Sequence, residues 1–105
     1  MLNIISKIEY IYRDSENYKE FGYFFVSGKF ILENILDVLF DSEFFVPENI
    51  GIPSLAPVAK MPYDHFLHEF SSVEIVKDGI ISMSSIELIR RIETANKRGW
   101  FYGIY

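Results

Sequence analysis

The sequence predicts an α+β fold: an antiparallel sheet of about four to five strands packed by two helices, in a single domain over residues 1–105. Three observations carry that expectation. β-Branched and aromatic residues dominate 4–13 (IISKIEYIYR) and 21–26 (FGYFFV), on either side of a polar cluster. Apolar residues recur at helical spacing in 30–41 and again in 85–98. A further alternating run, 65–76 (HFLHEFSSVEIV), lies between those helical segments.

The elements follow in order. The first run reads as a strand, and Asp14, Ser15, Glu16 and Asn17 form the turn that returns it antiparallel into the second, which Ser27 and Gly28 end. In 30–41, Ile31, Leu32, Ile35, Leu36, Val38 and Leu39 make an apolar face, and Glu33, Asp37 and Asp41 recur at i, i+4 and i+8 opposite it. A short strand is expected at 44–46. All four prolines fall at 47, 53, 57 and 62, so an irregular loop follows, anchored by Phe44, Phe45, Ile50, Ile52 and Leu55. After the strand at 65–76, Lys77, Asp78 and Gly79 read as a hairpin-type turn into a strand at 80–83. Ser84 and Glu87 have capping-box spacing, which starts a helix that runs to about Arg98, with Ile86, Ile89, Ile92 and Ala95 inward and Gly99 beyond its end. The tail, 100–105 (WFYGIY), is apolar enough to pack back on the sheet or to pair as an edge strand.

Composition narrows the function classes. A 105-residue chain is the size of one domain. It carries ten Phe, seven Tyr and one Trp. At roughly 150–250 Å² buried per ring, that is more than a small core hides, so some rings are expected at a surface for self-association or a partner. With no cysteine, the chain has no disulfide, thiolate or zinc–cysteine chemistry, which fits a cytoplasmic protein. The N-terminal segment lacks a signal-peptide pattern, and no apolar run reaches the ~20 residues of a membrane span. A net charge of −5 and a pI near 4.9 argue against nucleic acid bound through phosphate contacts.

Two features are candidate sites. Between Lys29 and Lys60 there are five acids (Glu33, Asp37, Asp41, Glu43 and Glu48) and no base, an excess equal to the net charge of the whole chain. Like charges at i, i+4 oppose helix formation, and anions near a helix C-terminus oppose the macrodipole. Such a face is either solvated, paired inside the fold by Arg90, Arg91, Lys97 or Arg98, or a docking surface for a basic protein. The second feature is the cluster at 64–69 (DHFLHE), which holds both histidines. On a strand, His65 and Glu69 share one face and Asp64 and His68 the other; on a helix, His65, His68 and Glu69 converge. Two imidazoles and a carboxylate suit a divalent metal, but the spacing is not that of the HExxH motif. A structural hydrogen-bonding cluster, where the loop rejoins the sheet, accounts for the same residues. Ser71, Ser72, Ser84 and Ser85 lack a nucleophile-elbow context, no glycine-rich phosphate loop is present, and no catalytic signature emerges.

Three segments taken together (Asn17-Tyr18-Lys19 with Phe21-Gly22; residues 43–53, EFFVPENIGIP, with Leu55; and residues 64–70, DHFLHEF) resemble a group of small uncharacterised bacterial proteins. The resemblance covers about the first two-thirds of the chain. It implies no activity, cofactor or site residue, only that the loop and the histidine cluster form one unit. The expectation from the residues is a non-catalytic, macromolecule-binding protein without a cofactor, a small acidic inhibitor of the immunity-protein or antitoxin kind. Glu33, Asp37, Asp41 and Glu43, flanked by Trp100 and Tyr102, would meet a basic protein partner. The alternative is a ligand- or metal-binding protein, or an enzyme, centred on His65, His68 and Glu69.

Overall fold

Side-chain alternation along the first strand organises the molecule. In the computed structural model, which describes residues 4–14, 16–56 and 67–101, β1 (Ile5–Arg13) turns Ser6, Ile8, Tyr10 and Tyr12 to the inner face of the sheet, where all four are buried. β2 (Lys19–Ser27) pairs with it antiparallel without a register shift and sends Phe24 and Val26 inward and Phe21, Tyr23 and Phe25 outward. Between the strands, the Asp14 carboxylate accepts from the Glu16 and Tyr18 amides at 2.9 and 2.8 Å, while Asn17 takes φ +66°. An Asp and an Asn tolerate this local geometry, so the expected turn forms where the polar cluster lies.

The remaining strands are β3 (Phe44–Phe45), β4 (His68–Val76) and β5 (Ile81–Ser84), in the sheet order β3-β4-β1-β2-β5. Three of the four pairings are antiparallel, and β2–β5 is parallel. β4 carries one extra residue against β1: Phe70 faces Tyr10 and Ser72 faces Glu9, so Ser71 bulges out and its hydroxyl donates to the Glu9 carboxylate at 3.1 Å. The expected hairpin at residues 77–79 does not occur. β4 and β5 do not pair; the chain passes both β1 and β2 and joins the sheet beyond them. The step crosses the Phe25 ring so closely that a Cβ on Gly79 would overlap three ring carbons. A Lys-Asp-Gly tripeptide suits a hairpin and this crossover equally, and the approach of Gly79 to the half-buried Phe25 ring belongs to the crossover.

Helical segments close the inner face. α1 (Ser85–Arg98) begins as its sequence demands: the Ser84 hydroxyl accepts from the Glu87 amide at 3.0 Å. The reciprocal half of a capping box is absent, because the Glu87 carboxylate is held by Arg90 and Arg91. The buried stripe is Ser85, Leu88, Ile92 and Ala95, and Ile89 packs half-buried against the core; of the residues expected inward only Ile86 is not, at 78% exposed. The observed 3-4-3 spacing keeps one face, and Ile86 stands about 100° round the helix from Ser85.

The segment expected as an α-helix over 30–41 is a 3₁₀ helix, η1 (Leu32–Val38). Its preceding residue, Ile31, offers no side-chain cap. A 3₁₀ helix has three residues per turn, so Glu33 and Asp37 fall about 120° apart instead of in line. Asp41 lies beyond it, at φ +54° in the turn that returns the chain to β3. A second 3₁₀ turn, η2 (Pro47–Ile50), follows β3. The core lies between this helical layer and the sheet, with Ile8, Val26, Phe45, Ile50, Leu88 and Ile92 at its centre.

Candidate functional site

The acidic segment is built by η1, the turn after it, and η2. Glu33, Asp37, Asp41, Glu43 and Glu48 are all exposed. Among the described residues, none of them makes an ion pair: the salt bridges are Lys7–Glu74, Arg90–Glu87 and Arg91–Glu87. Two of the bases that could have neutralised the segment from inside the fold, Arg90 and Arg91, are engaged with another acid. Arg90 and Arg91 hold Glu87, and their guanidinium groups keep its carboxyl below the usual carboxylate range. Arg91 also donates through Nη1 to the Ile50 carbonyl at 3.2 Å and lies against Gly51, at φ +77°, where a Cβ would collide with it. Exposed apolar side chains interleave with the acids, since Ile31 and Leu36 both reach solvent.

Trp100 does not belong to this surface. It is 3% exposed, its indole N–H donates to the Val38 carbonyl at 3.0 Å, and its own carbonyl accepts from the Asn49 side-chain amide at 2.8 Å. The ring bolts the end of α1 to η1 and η2, which is why an apolar tail follows a capped helix. Phe101 packs edge-on against Phe40 at 5.1 Å between centroids. Tyr102 lies outside the described residues.

The histidine cluster comes apart along the strand period. His68 points inward and is fully buried; its Nε2 accepts the Leu55 amide at 3.0 Å. An accepting Nε2 places the proton of the neutral ring on Nδ1. The same loop is held a second time by Tyr10, whose hydroxyl donates to the Pro53 carbonyl at 2.6 Å. Burial, with Glu48 nearby, pushes the Tyr10 phenol up from its ordinary value. Glu69 faces the other side of the sheet, where it lines a depression of about 230 Å³ with Ile11, Arg13, Asp14, Phe44 and Leu67. His68 and Glu69 therefore do not converge, and among the described residues no group of three His, Cys, Asp or Glu could hold a metal. His65 and Asp64 lie outside the described residues. His68 acts here as a clasp between loop and sheet. The clasp had a legible half, the in–out alternation of 68 and 69. Its other half, the backbone of Pro53 and Leu55, carries no side-chain signal.

Some of the rings in excess of the core stand on the outer face of the sheet. Phe21 and Tyr23 are 57% and 60% exposed there, and the Lys7 ammonium lies 4.7 Å over the centroid of the Tyr23 ring. The excess of rings over core volume was the available signal. No described helix is long and apolar enough to cross a membrane. In comparisons with known proteins, no family model, curated protein or solved structure matches this chain.

Proposed function

We propose that the chain is a non-catalytic protein-binding domain that docks a basic partner through its acidic segment, residues 33–48. The observation that carries this reading is the set of five exposed carboxylates, with no base between them in sequence and no ion pair to any of them among the described residues. A stable domain has no folding need for such a concentration of one sign. Its use is intermolecular: complementary charge speeds encounter and rejects acidic competitors. Ile31 and Leu36 sit among the carboxylates and supply apolar contact area. Trp100 contributes indirectly, by fixing η1 through Val38. A small acidic inhibitor of the immunity-protein or antitoxin kind is the protein class that uses such a surface.

The test is association kinetics with partners recovered by cross-linking from the native host. A cognate basic partner should bind with an on-rate that falls steeply with added salt. The combined change Glu33→Gln, Asp37→Asn, Asp41→Asn should slow that association about tenfold or more and flatten its salt dependence. Wild-type rates at every ionic strength would place docking elsewhere. A metal or ligand centre on His65, His68 and Glu69 is the second reading, and the bond from Leu55 to His68 does not favour it.

A further inference from the structure

The core face of the sheet continues past the helical layer that covers it. Val73 and Ile75 of β4 stand opposite Ile8 and Ser6 of β1 and so share their inner face, yet Ile75 is 57% exposed. Ile31, just before η1, is 40% exposed. Both line a hollow of about 370 Å³, with half-buried Leu32 and Val73 on its walls and buried Phe30 at its base. The hollow is preformed. Where the chain leaves β2, the Gly28 amide donates to the Ile4 carbonyl at 2.7 Å. The buried Ser6 hydroxyl donates to the Gly28 carbonyl at 2.8 Å and accepts from the Phe30 amide at 3.2 Å. The Phe30 ring packs against Phe70 at 6.0 Å between centroids, and Phe70 stacks on Phe45 at 4.1 Å. Walls fixed in this way receive a group with little ordering cost, and the volume is that of a small-ligand pocket, roughly 300–1,000 Å³.

We propose that this hollow takes a large apolar side chain of the basic partner, carried on an extended segment whose bases lie on one side of that anchor only. This rests on the docking reading above and supplies what the carboxylates lack, a desolvated anchor. The lips of the hollow set the partner's pattern. Glu33 and Lys29 both line it, and among the described residues neither makes an ion pair. Lys29 repels a base on its side of the anchor, and Glu33 opens the acidic segment on the other. In an extended chain, residues two and four positions from the anchor point the same way as it does, so bases there face the acids. A second copy of this chain, with its own net charge of −5, would bring like charge to that segment. The two parts of the surface then act on different rates. The carboxylates steer encounter and set the on-rate, whereas the buried anchor sets residence.

The probes are acetyl-Leu-Ser-Lys-Ser-Lys-amide and its reverse, acetyl-Lys-Ser-Lys-Ser-Leu-amide, which cover both chain directions, titrated into the full chain and followed by methyl and amide NMR. One of the two should shift the methyl signals of Ile31, Val73 and Ile75 and saturate in the millimolar range, the weak end of specific association at about 1 mM. Replacing its Leu by Ser should weaken binding about tenfold or more, the worth of one buried aliphatic side chain. Ile75→Asp, at an exposed position, should weaken the Leu peptide to the same degree with the amide spectrum otherwise unchanged. Should that variant fail to fold, Ile31→Asp on the other wall should do the same. Equal binding of the Leu and Ser peptides, or methyl signals that stay still up to about 10 mM peptide, overturns the proposal. The docking reading survives that result if the amides of Glu33, Asp37 and Asp41 still respond in a salt-dependent way. An acidic analogue, with Glu in place of both Lys, that binds as tightly as the basic peptide overturns the basic occupant and counts against the docking reading itself. Concentration-dependent broadening of the same methyl signals without peptide assigns the hollow to a second copy and overturns the proposal as well.

Discussion

α1 and η1 contact one another over the inner face of the sheet, and both segments carry apolar residues at helical spacing, yet only one is an α-helix. The difference lies at the ends. α1 has a serine whose hydroxyl accepts an orphan amide, an acid in its first turn, and Lys97 and Arg98 in its last. η1 starts after Ile31 with no side-chain cap, has no base in its last turn, and has Asp37 there instead. Periodicity says which face is buried; capping and end charges decide whether thirteen-atom rings propagate. A short segment with an acid in its first turn, Glu33, but no side-chain cap and no base in its last tightens into 3₁₀ turns and is held by its neighbours. Its shape is then a tertiary property, imposed by Trp100 through the Val38 carbonyl.

That comparison can be broken by mutation, and the largest effect is expected in the core. Ile92→Ala, at a fully buried position of α1, should cost about 2–5 kcal/mol in chemical denaturation, and Ile35→Ala in η1 a similar amount. If Ile35→Ala were nearly neutral, η1 would be a covering loop rather than part of the core. Next, Trp100→Phe removes the indole donor and leaves the Val38 carbonyl unpaired, for a loss of about 1–3 kcal/mol. Hydrogen exchange should then quicken in η1 more than in α1, and equal acceleration in both would contradict the bolt.

Ser84→Ala should cost about 1 kcal/mol and fray only the first turn of α1. The same substitution has no equivalent at Ile31. Introducing a cap there, Ile31→Ser, should not convert η1 into an α-helix, because the acids at its end remain; a clear rise in helical circular dichroism would show that the missing cap alone decides.

Two titrations separate the regions by pH. Glu87 is held below the ordinary carboxylate range by Arg91 and Arg90, so its contribution to α1 is present above that range and is lost as pH falls through the lowered value. Glu87→Gln should remove that acid-side dependence of the melting temperature. The Tyr10 phenol is raised, so its contribution is complete below its ordinary value of 10.0 and is lost as pH rises through the folded one. Alkaline melting should flatten in Tyr10→Phe, and a curve unchanged from the wild type would exclude the Pro53 contact as the cause. The smallest effect belongs to the acids: Glu33→Gln with Asp37→Asn should leave stability within about 0.5 kcal/mol of wild type or raise it slightly. A clear loss would mean that the fold uses those charges.

The residues by themselves determined the α+β class, the β1–β2 hairpin with its Asp14 turn, the limits of α1 and its serine cap, and the alternation that sends His68 inward and Glu69 outward. Each depends on contacts within a few positions along the chain, where spacing and residue type carry the signal. Tertiary structure alone decided the rest. β5 lies beside β2 rather than β4 because the crossover passes Phe25, and Trp100 is buried because Val38 and Asn49 wait for it. His68 is a clasp because the Leu55 amide arrives thirteen residues away. The partners in those contacts are largely backbone groups, identical at every position, so no residue type announces them until the chain has folded.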